Sequence, residues 1–241
     1  MGRKSRVKLV IRSIILLITI ILTLISPNAL AKFMAFSIVG NFKIYNLFWI
    51  YLMYEMIIVF IPKWNNYTYC GKLYERHYRG SNNYNKEKLI NFTKKNSVRA
   101  LRAAAFWIVL NSIIAYIYFK LNLSVIFMYL LFLFYYWSDM FCVNVWCPFH
   151  KRIVRNKCCN ECRIYNWGHI MYLTPLIFIK SFWSYSLVIM GVILFIQWEY
   201  LNYKHPERFS PISNENLRCG VCTNDCRYNK NKKNKLEREK T

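Results

Sequence analysis

The apolar residues of this 241-residue chain are gathered into six blocks, each near the length a helix needs to cross a lipid bilayer, with cationic segments between them. Hydrocarbon holds no water to satisfy a peptide backbone, and a helix rises about 1.5 Å per residue, so a span takes about 20 mostly apolar residues. The blocks run from Ser13 to Leu30, Ile44 to Ile61, Ala103 to Phe119, Leu121 to Cys142, Ile164 to Ile179 and Phe182 to Leu201. The fifth has sixteen residues and carries Asn166, His169 and Pro175, which predicts a tilted, kinked or re-entrant segment. With 56% hydrophobic and 18% aromatic residues, the chain is too apolar for an ordinary soluble domain. The expected fold is all-α: a polytopic helical membrane protein of about six transmembrane helices.

Charge then sets the expected orientation, because Lys- and Arg-rich loops stay on the cytoplasmic side. With six spans, thirty of the 34 cationic residues fall in segments 3–12, 63–102, 151–163 and 204–240, and only Lys32, Lys43, Lys120 and Lys180 fall on the other side. Both termini are therefore expected in the cytoplasm, in a multi-pass protein of the plasma membrane. The expected organisation is a transmembrane domain over residues 1–203, with basic cytoplasmic loops at 63–102 and 148–163. A cytoplasmic tail follows over 204–241. The first block also reads as a secretory leader with Ala29-Leu30-Ala31 as its cleavage site, but its apolar stretch exceeds the 7–15 residues of such a core and favours a retained helix.

The 63–102 loop, rich in Tyr, Asn and cations, is expected to be a solvated, partly disordered connector. It also offers a surface for anionic lipid headgroups, where each Lys or Arg contributes about 1 kcal/mol. The end of the tail, NKNKKNKLEREKT, is low-complexity and charged, hence expected to be unfolded. Topology accounts for the basic sign of the loops, so no nucleic-acid partner is expected. No Gly-rich phosphate loop, Gly-x-Ser-x-Gly elbow or His-Glu-x-x-His is present, and no enzymatic class is assigned.

All nine cysteines except Cys70 lie at or beyond the expected cytoplasmic ends of spans four to six. That compartment keeps thiols reduced, which favours metal ligation over disulfides. Two clusters have ligand spacing: Cys158-Cys159-Asn-Glu-Cys162, and Cys219, Cys222 and Cys226 as C-x2-C-x3-C. A short outer turn near Lys180 returns the fifth and sixth spans to one face, so the clusters are expected to meet. The simplest tetrahedral zinc set is Cys159, Cys162, Cys219 and Cys222, with Cys147, Cys158, Cys226 and His150 as substitutes or ligands of a second centre. Separately, Cys142-Val-Asn-Val-Trp-Cys147-Pro148 resembles the cysteine-proline loops of membrane-bound polyferredoxin-type electron carriers. That resemblance covers under a dozen residues, with a spacing one residue longer, and implies an iron-sulfur cluster passing electrons.

Glu55 lies midway along the second block. An intramembrane carboxylate is costly unless paired or hydrated, which makes it a functional candidate with Asn111, neighbouring tyrosines and His169 as expected partners. Asp139 and Glu199 lie nearer the interface and are expected to snorkel toward water. The leading functional expectation is thus a membrane protein with a cytoplasmic cysteine-ligated metal site, zinc or iron-sulfur. Its rival is a small-solute or ion transporter with Glu55 on the pathway.

Overall fold

A computed structural model describes residues 3–40, 42–61, 78–81, 84–156 and 161–218. The first helix, α1 (Arg3–Ile25), stops where Ser26 turns extended and Pro27, which has no N–H to give, opens α2 (Pro27–Met34). A small antiparallel ribbon follows, β1 (Ser37–Val39) with β2 (Phe42–Lys43), next to Gly40 at φ +53°. Among the described residues this ribbon and an isolated antiparallel bridge between Gly80 and Asn214 depart from the expected all-α content. The remaining long helices are α3 (Ile44–Phe60), α4 (Lys86–Lys120), α5 (Val125–Asn144) and α7 (Phe182–Lys204). Side chains cap three of them: Asn85 accepts from the Lys88 amide, Ser124 from that of Ile126, and Ser181 from that of Trp183.

Four of these helices, α1, α4, α5 and α7, are long and apolar enough to cross a membrane, and α3 is a shorter apolar helix of 17 residues. Their outward faces carry Leu24 at 81% exposure, Ile108 at 64% and Phe182 at 73%. A molecule that turns such side chains outward along whole helices is built to meet lipid. The start of α1 differs from expectation, since the helix opens ten residues before Ser13 and draws Lys8 and Arg12 into the bundle. Within the expected connector, residues 86–102 are instead the first part of α4, which at 35 residues is about 52 Å long. Leu89, Asn96 and Ala100 are buried there, so this polar stretch is held by packing.

The fifth block is a broken helix. Tyr165–Trp167 and Thr174–Phe178 are 3-10 turns on either side of α6 (Gly168–Leu173). A 3-10 residue rises about 2.0 Å, so this short segment extends to about 25 Å, much of the way across a bilayer of about 30 Å. It is the most enclosed part of the bundle, with Tyr172, Leu173 and Leu176 buried between α5 and α7. Gly191 of α7 permits that approach, because a Cβ there would lie 2.7 Å from Leu173 Cδ1.

Successive segments run in alternating directions. Ser5 meets Asn144, Gln197 meets Phe60, and Arg163 meets Glu199 at one end, while Phe178 packs on Phe119 and Tyr45 on Trp183 at the other. The first end carries a second core in which Cys162, Ile164, Trp167 and Trp198 pack with Ala100, Val154 and Phe209. Residues 205–218 fold against this end. Phe209 lies edge-on to Trp198, Ser213 Oγ donates to Glu207 O (2.6 Å), Asn214 Nδ2 donates to Arg208 O (2.9 Å), and the Ser81 amide donates to Ser213 O (3.0 Å).

Candidate functional site

The first end of the bundle encloses four charged side chains from three helices. Arg12, only 6% exposed, is the hub. Its Nη1 donates to the Tyr136 carbonyl (2.7 Å) and to Asp139 Oδ2 (3.1 Å), its Nη2 donates to Glu55 Oε2 (3.3 Å), and its guanidinium lies 3.6 Å over the Tyr136 ring. Glu55 takes three further donors: Lys8 Nζ (2.5 Å), Tyr51 OH (2.9 Å) and Tyr136 OH (3.2 Å). Two cations therefore face two carboxylates, and the planar guanidinium fork is the side chain suited to bridging both.

Local sequence explains each placement. On α1, Ser5, Arg12 and Ser13 all bond to α5, Ser5 with Asn144 and Ser13 with Trp137 Nε1, so the hub helix is zipped to α5 by polar groups. Lys8 and Arg12 are one turn apart on α1, and Tyr51 and Glu55 one turn apart on α3, so each helix presents two groups to one spot. Gly168 of α6 leaves room for the carboxylate of Asp139, which a Cβ there would overlap. Arg12 is seven residues past Ser5, and Glu55 and Asp139 each lie five residues from a helix end, so the cluster is about 8–10 Å inside the bundle. Lys8, at 34% exposure against 11% for Glu55, stands on its wetter side.

Beside this cluster, Tyr172 packs edge-on to Tyr136 (5.2 Å between centroids) and near the His169 ring (5.7 Å). The Tyr172 hydroxyl and Arg12 Nε are buried and have no hydrogen-bond partner among the described residues. Polar atoms in a closed protein core are ordinarily all paired, so these two are unused capacity at the centre.

Glu55 is thus paired as expected, and with tyrosines, but its principal partners are Arg12 and Lys8. Asn111 instead bonds the Trp107 carbonyl and Tyr135 OH. Neither interfacial acid snorkels. Asp139 is held by Arg12, and Glu199 takes a two-pronged pair from Arg163 plus Trp167 Nε1 (2.8 Å).

Of the cysteine set, Cys158, Cys159, Cys219, Cys222 and Cys226 lie outside the described residues, as does Cys70. Cys162 is buried in the second core, and Cys147 and His150 flank Pro148 after α5. Among the described residues no three His, Cys, Asp or Glu side chains group as metal ligands would. The Cys147 thiol is pulled down to about 7, chiefly by a hydrogen bond from the Cys142 thiol and further by the His150 and Phe149 amides, against burial and Asp139. Comparison with family models, curated proteins and solved structures finds no match for this chain.

Proposed function

We propose that this chain is a six-pass membrane protein, both ends cytoplasmic, that moves a small solute or ion through a centre built on Glu55, Arg12 and Asp139. One observation carries the reading: beside a charge-balanced cluster buried among apolar helices, Arg12 Nε and Tyr172 OH remain unpaired. These two donors lie beside carboxylates that already share their cations, and a water or an acceptor-bearing solute would take them. Lys8 then marks the entrance on the cytoplasmic side, and Glu55, with two cations competing for it, is the group whose partners change. The thirty-to-four division of cations supports the orientation, and the plasma membrane is the proposed location. The test is proton flux into proteoliposomes, followed by a trapped pH dye under an imposed potassium diffusion potential. Wild type is expected to exceed empty vesicles, and Glu55→Gln to lower that excess at least tenfold while eluting normally on gel filtration. Wild-type flux no faster than empty vesicles, or an unchanged Glu55→Gln rate, overturns the proposal.

A second reading concerns the cysteines. Cys162 packs with Phe209, at the start of the folded stretch that ends just before Cys219. That placement supports a zinc clamp by Cys159, Cys162, Cys219 and Cys222 joining the 148–163 loop to a tail domain over 204–241, with an iron-sulfur cluster as the alternative occupant. One zinc per chain, lost in Cys219→Ser/Cys222→Ser, is expected. Absorption near 400 nm bleached by dithionite would assign iron-sulfur instead, and metal-free purified protein would remove both.

A further inference from the structure

At the end of the bundle opposite the charged cluster, the connection from α1 to α3 turns apolar side chains outward. Leu30 of α2 is buried, while Phe33 is exposed. Neither strand of the ribbon has a buried residue, and Phe36 (63% exposed), Ile38, Val39 (75%) and Phe42 stand out from it, as open as Phe182 on α7. A two-stranded ribbon is marginal in water, so its surroundings must supply the apolar contact. Depth, charge and continuity identify those surroundings. Helix α3 has 17 residues and rises about 25 Å, about 5 Å less than a hydrocarbon layer of about 30 Å. Its Phe60 end comes three residues before Lys63, at the headgroups, so its Ile44 end stops inside the layer and the ribbon adjoins it there. The connections at this end, 26–43, 120–124 and 179–181, hold Lys32, Lys43, Lys120 and Lys180 and no acidic residue, which suits lipid phosphates. Lys43 and Lys120 lie over the rings of Tyr45 (5.9 Å) and Tyr116 (5.5 Å), a pairing of aromatic and snorkelling cation suited to the headgroup level. The exposed apolar surface also runs on without a break in kind, through Leu24 and Ile25 of α1 to Leu121 after α4.

We infer that residues 27–43 are an interfacial anchor seated in the phospholipid leaflet at this end, with Phe36, Val39 and Phe42 among the upper acyl chains and Lys32 and Lys43 at the phosphates. Such a segment binds through its buried apolar area together with attraction between its cations and the headgroups. The ribbon's own backbone sets its depth. Each of its two strands has one edge with no neighbouring strand, and hydrocarbon offers those N–H and C=O groups no partner. The anchor therefore lies at the boundary of acyl chains and headgroups, where water and phosphate reach the edges, and goes no deeper. The Ile44 amide, donating to the Phe36 carbonyl (3.2 Å), closes the ribbon onto the start of α3, so the anchor is tied directly to the helix that carries Glu55. The inference rests on the chain being a membrane protein and not on transport.

Trypsin releases the ribbon as the fragment Phe33–Lys43, and the polar start of α4 as Leu89–Lys94, which serves as the aqueous reference. Full-length protein in phosphatidylcholine nanodiscs, doped with the same lipid carrying a diazirine near the top of one acyl chain, is illuminated, digested and weighed. Phe33–Lys43 should carry lipid adducts about tenfold more often than Leu89–Lys94. In a parallel sample exposed to hydroxyl radicals generated in water, it should be oxidised less than Leu89–Lys94, each normalised to the same peptide free in solution. Val39→Glu, at an exposed position that leaves the packing intact, should lower the lipid adducts about threefold at an unchanged elution volume. Oxidation equal to that of Leu89–Lys94 places the ribbon in water and overturns the inference. Protection without lipid adducts places a protein, such as a second copy of this chain, over the ribbon and overturns it as well. Adducts unchanged in Val39→Glu overturn the part given to the ribbon. Neither readout depends on flux through Glu55, so the transport proposal and this one stand or fall separately.

Discussion

Arg12 and Arg163 each bring a guanidinium into the bundle near the same end, and they are held in different ways. Arg163 has one carboxylate partner, Glu199, engaged through both prongs, and the indoles of Trp167 and Trp198 close the pair by bonding Glu199 and the Arg163 carbonyl. Arg12 is divided among Glu55, Asp139 and a carbonyl, and Lys8 competes with it for Glu55. One-to-one bidentate pairing fixes a geometry; shared pairing leaves several arrangements close in energy. The first joins the broken segment to α7, and the second joins α1, α3 and α5 while leaving its carboxylates able to exchange partners.

The comparison is broken most directly at its hubs. Arg12→Leu leaves Asp139 without its cation and Glu55 with Lys8 alone, and should cost about 3–5 kcal/mol, read as a large fall in the thermal unfolding midpoint in detergent. Adding Glu55→Gln and Asp139→Asn should restore most of it, and restoration by either alone would show that the charge is not shared. Glu199→Gln should cost about 2–3 kcal/mol, less because that carboxylate is partly exposed, while Arg163→Met/Glu199→Leu should return to within about 1 kcal/mol of wild type. A double variant no better than the single would put the one-to-one account in error. Gly168→Ala adds a methyl where Asp139 lies and should cost about 1–2 kcal/mol. Its penalty should vanish in an Asp139→Ala background if steric conflict with that carboxylate is the cause. The smallest effect is expected from Lys8→Gln, under about 1 kcal/mol and shrinking with salt, because Lys8 is a third exposed.

These groups also show what could be read from residue order alone. Block length and apolarity identify the helices because lipid imposes a minimum run of apolar residues, and depth within a block singles out Glu55. Arg12 escaped because hydropathy places a span's edge at its first cation, whereas the helix begins at Arg3 and carries Arg12 inward to acids more than forty residues away. Asp139 lies inside the fourth block, but its place near the block's end reads only as an interfacial acid that snorkels. Nothing within α5 announces that a guanidinium from α1 will reach it. Pro175 and the shortness of the fifth block did signal irregular backbone, and 3-10 winding there lengthens the segment without adding residues.

Helix α4 is longer than a bilayer crossing requires. If it crosses a hydrocarbon layer about 30 Å thick, about 20 Å of its 52 Å stands clear of it. The polar start of α4 shares a small cleft with Pro206 and Phe209 through Phe92, Thr93 and Asn96. A rod so placed works as a lever with its fulcrum at the headgroups: a tilt of about 10°, of the kind thinner lipid imposes, swings its free tip by about 3–4 Å. In a membrane, a change of thickness that tilts α4 would therefore be felt as a sideways displacement at the Pro206–Phe209 turn.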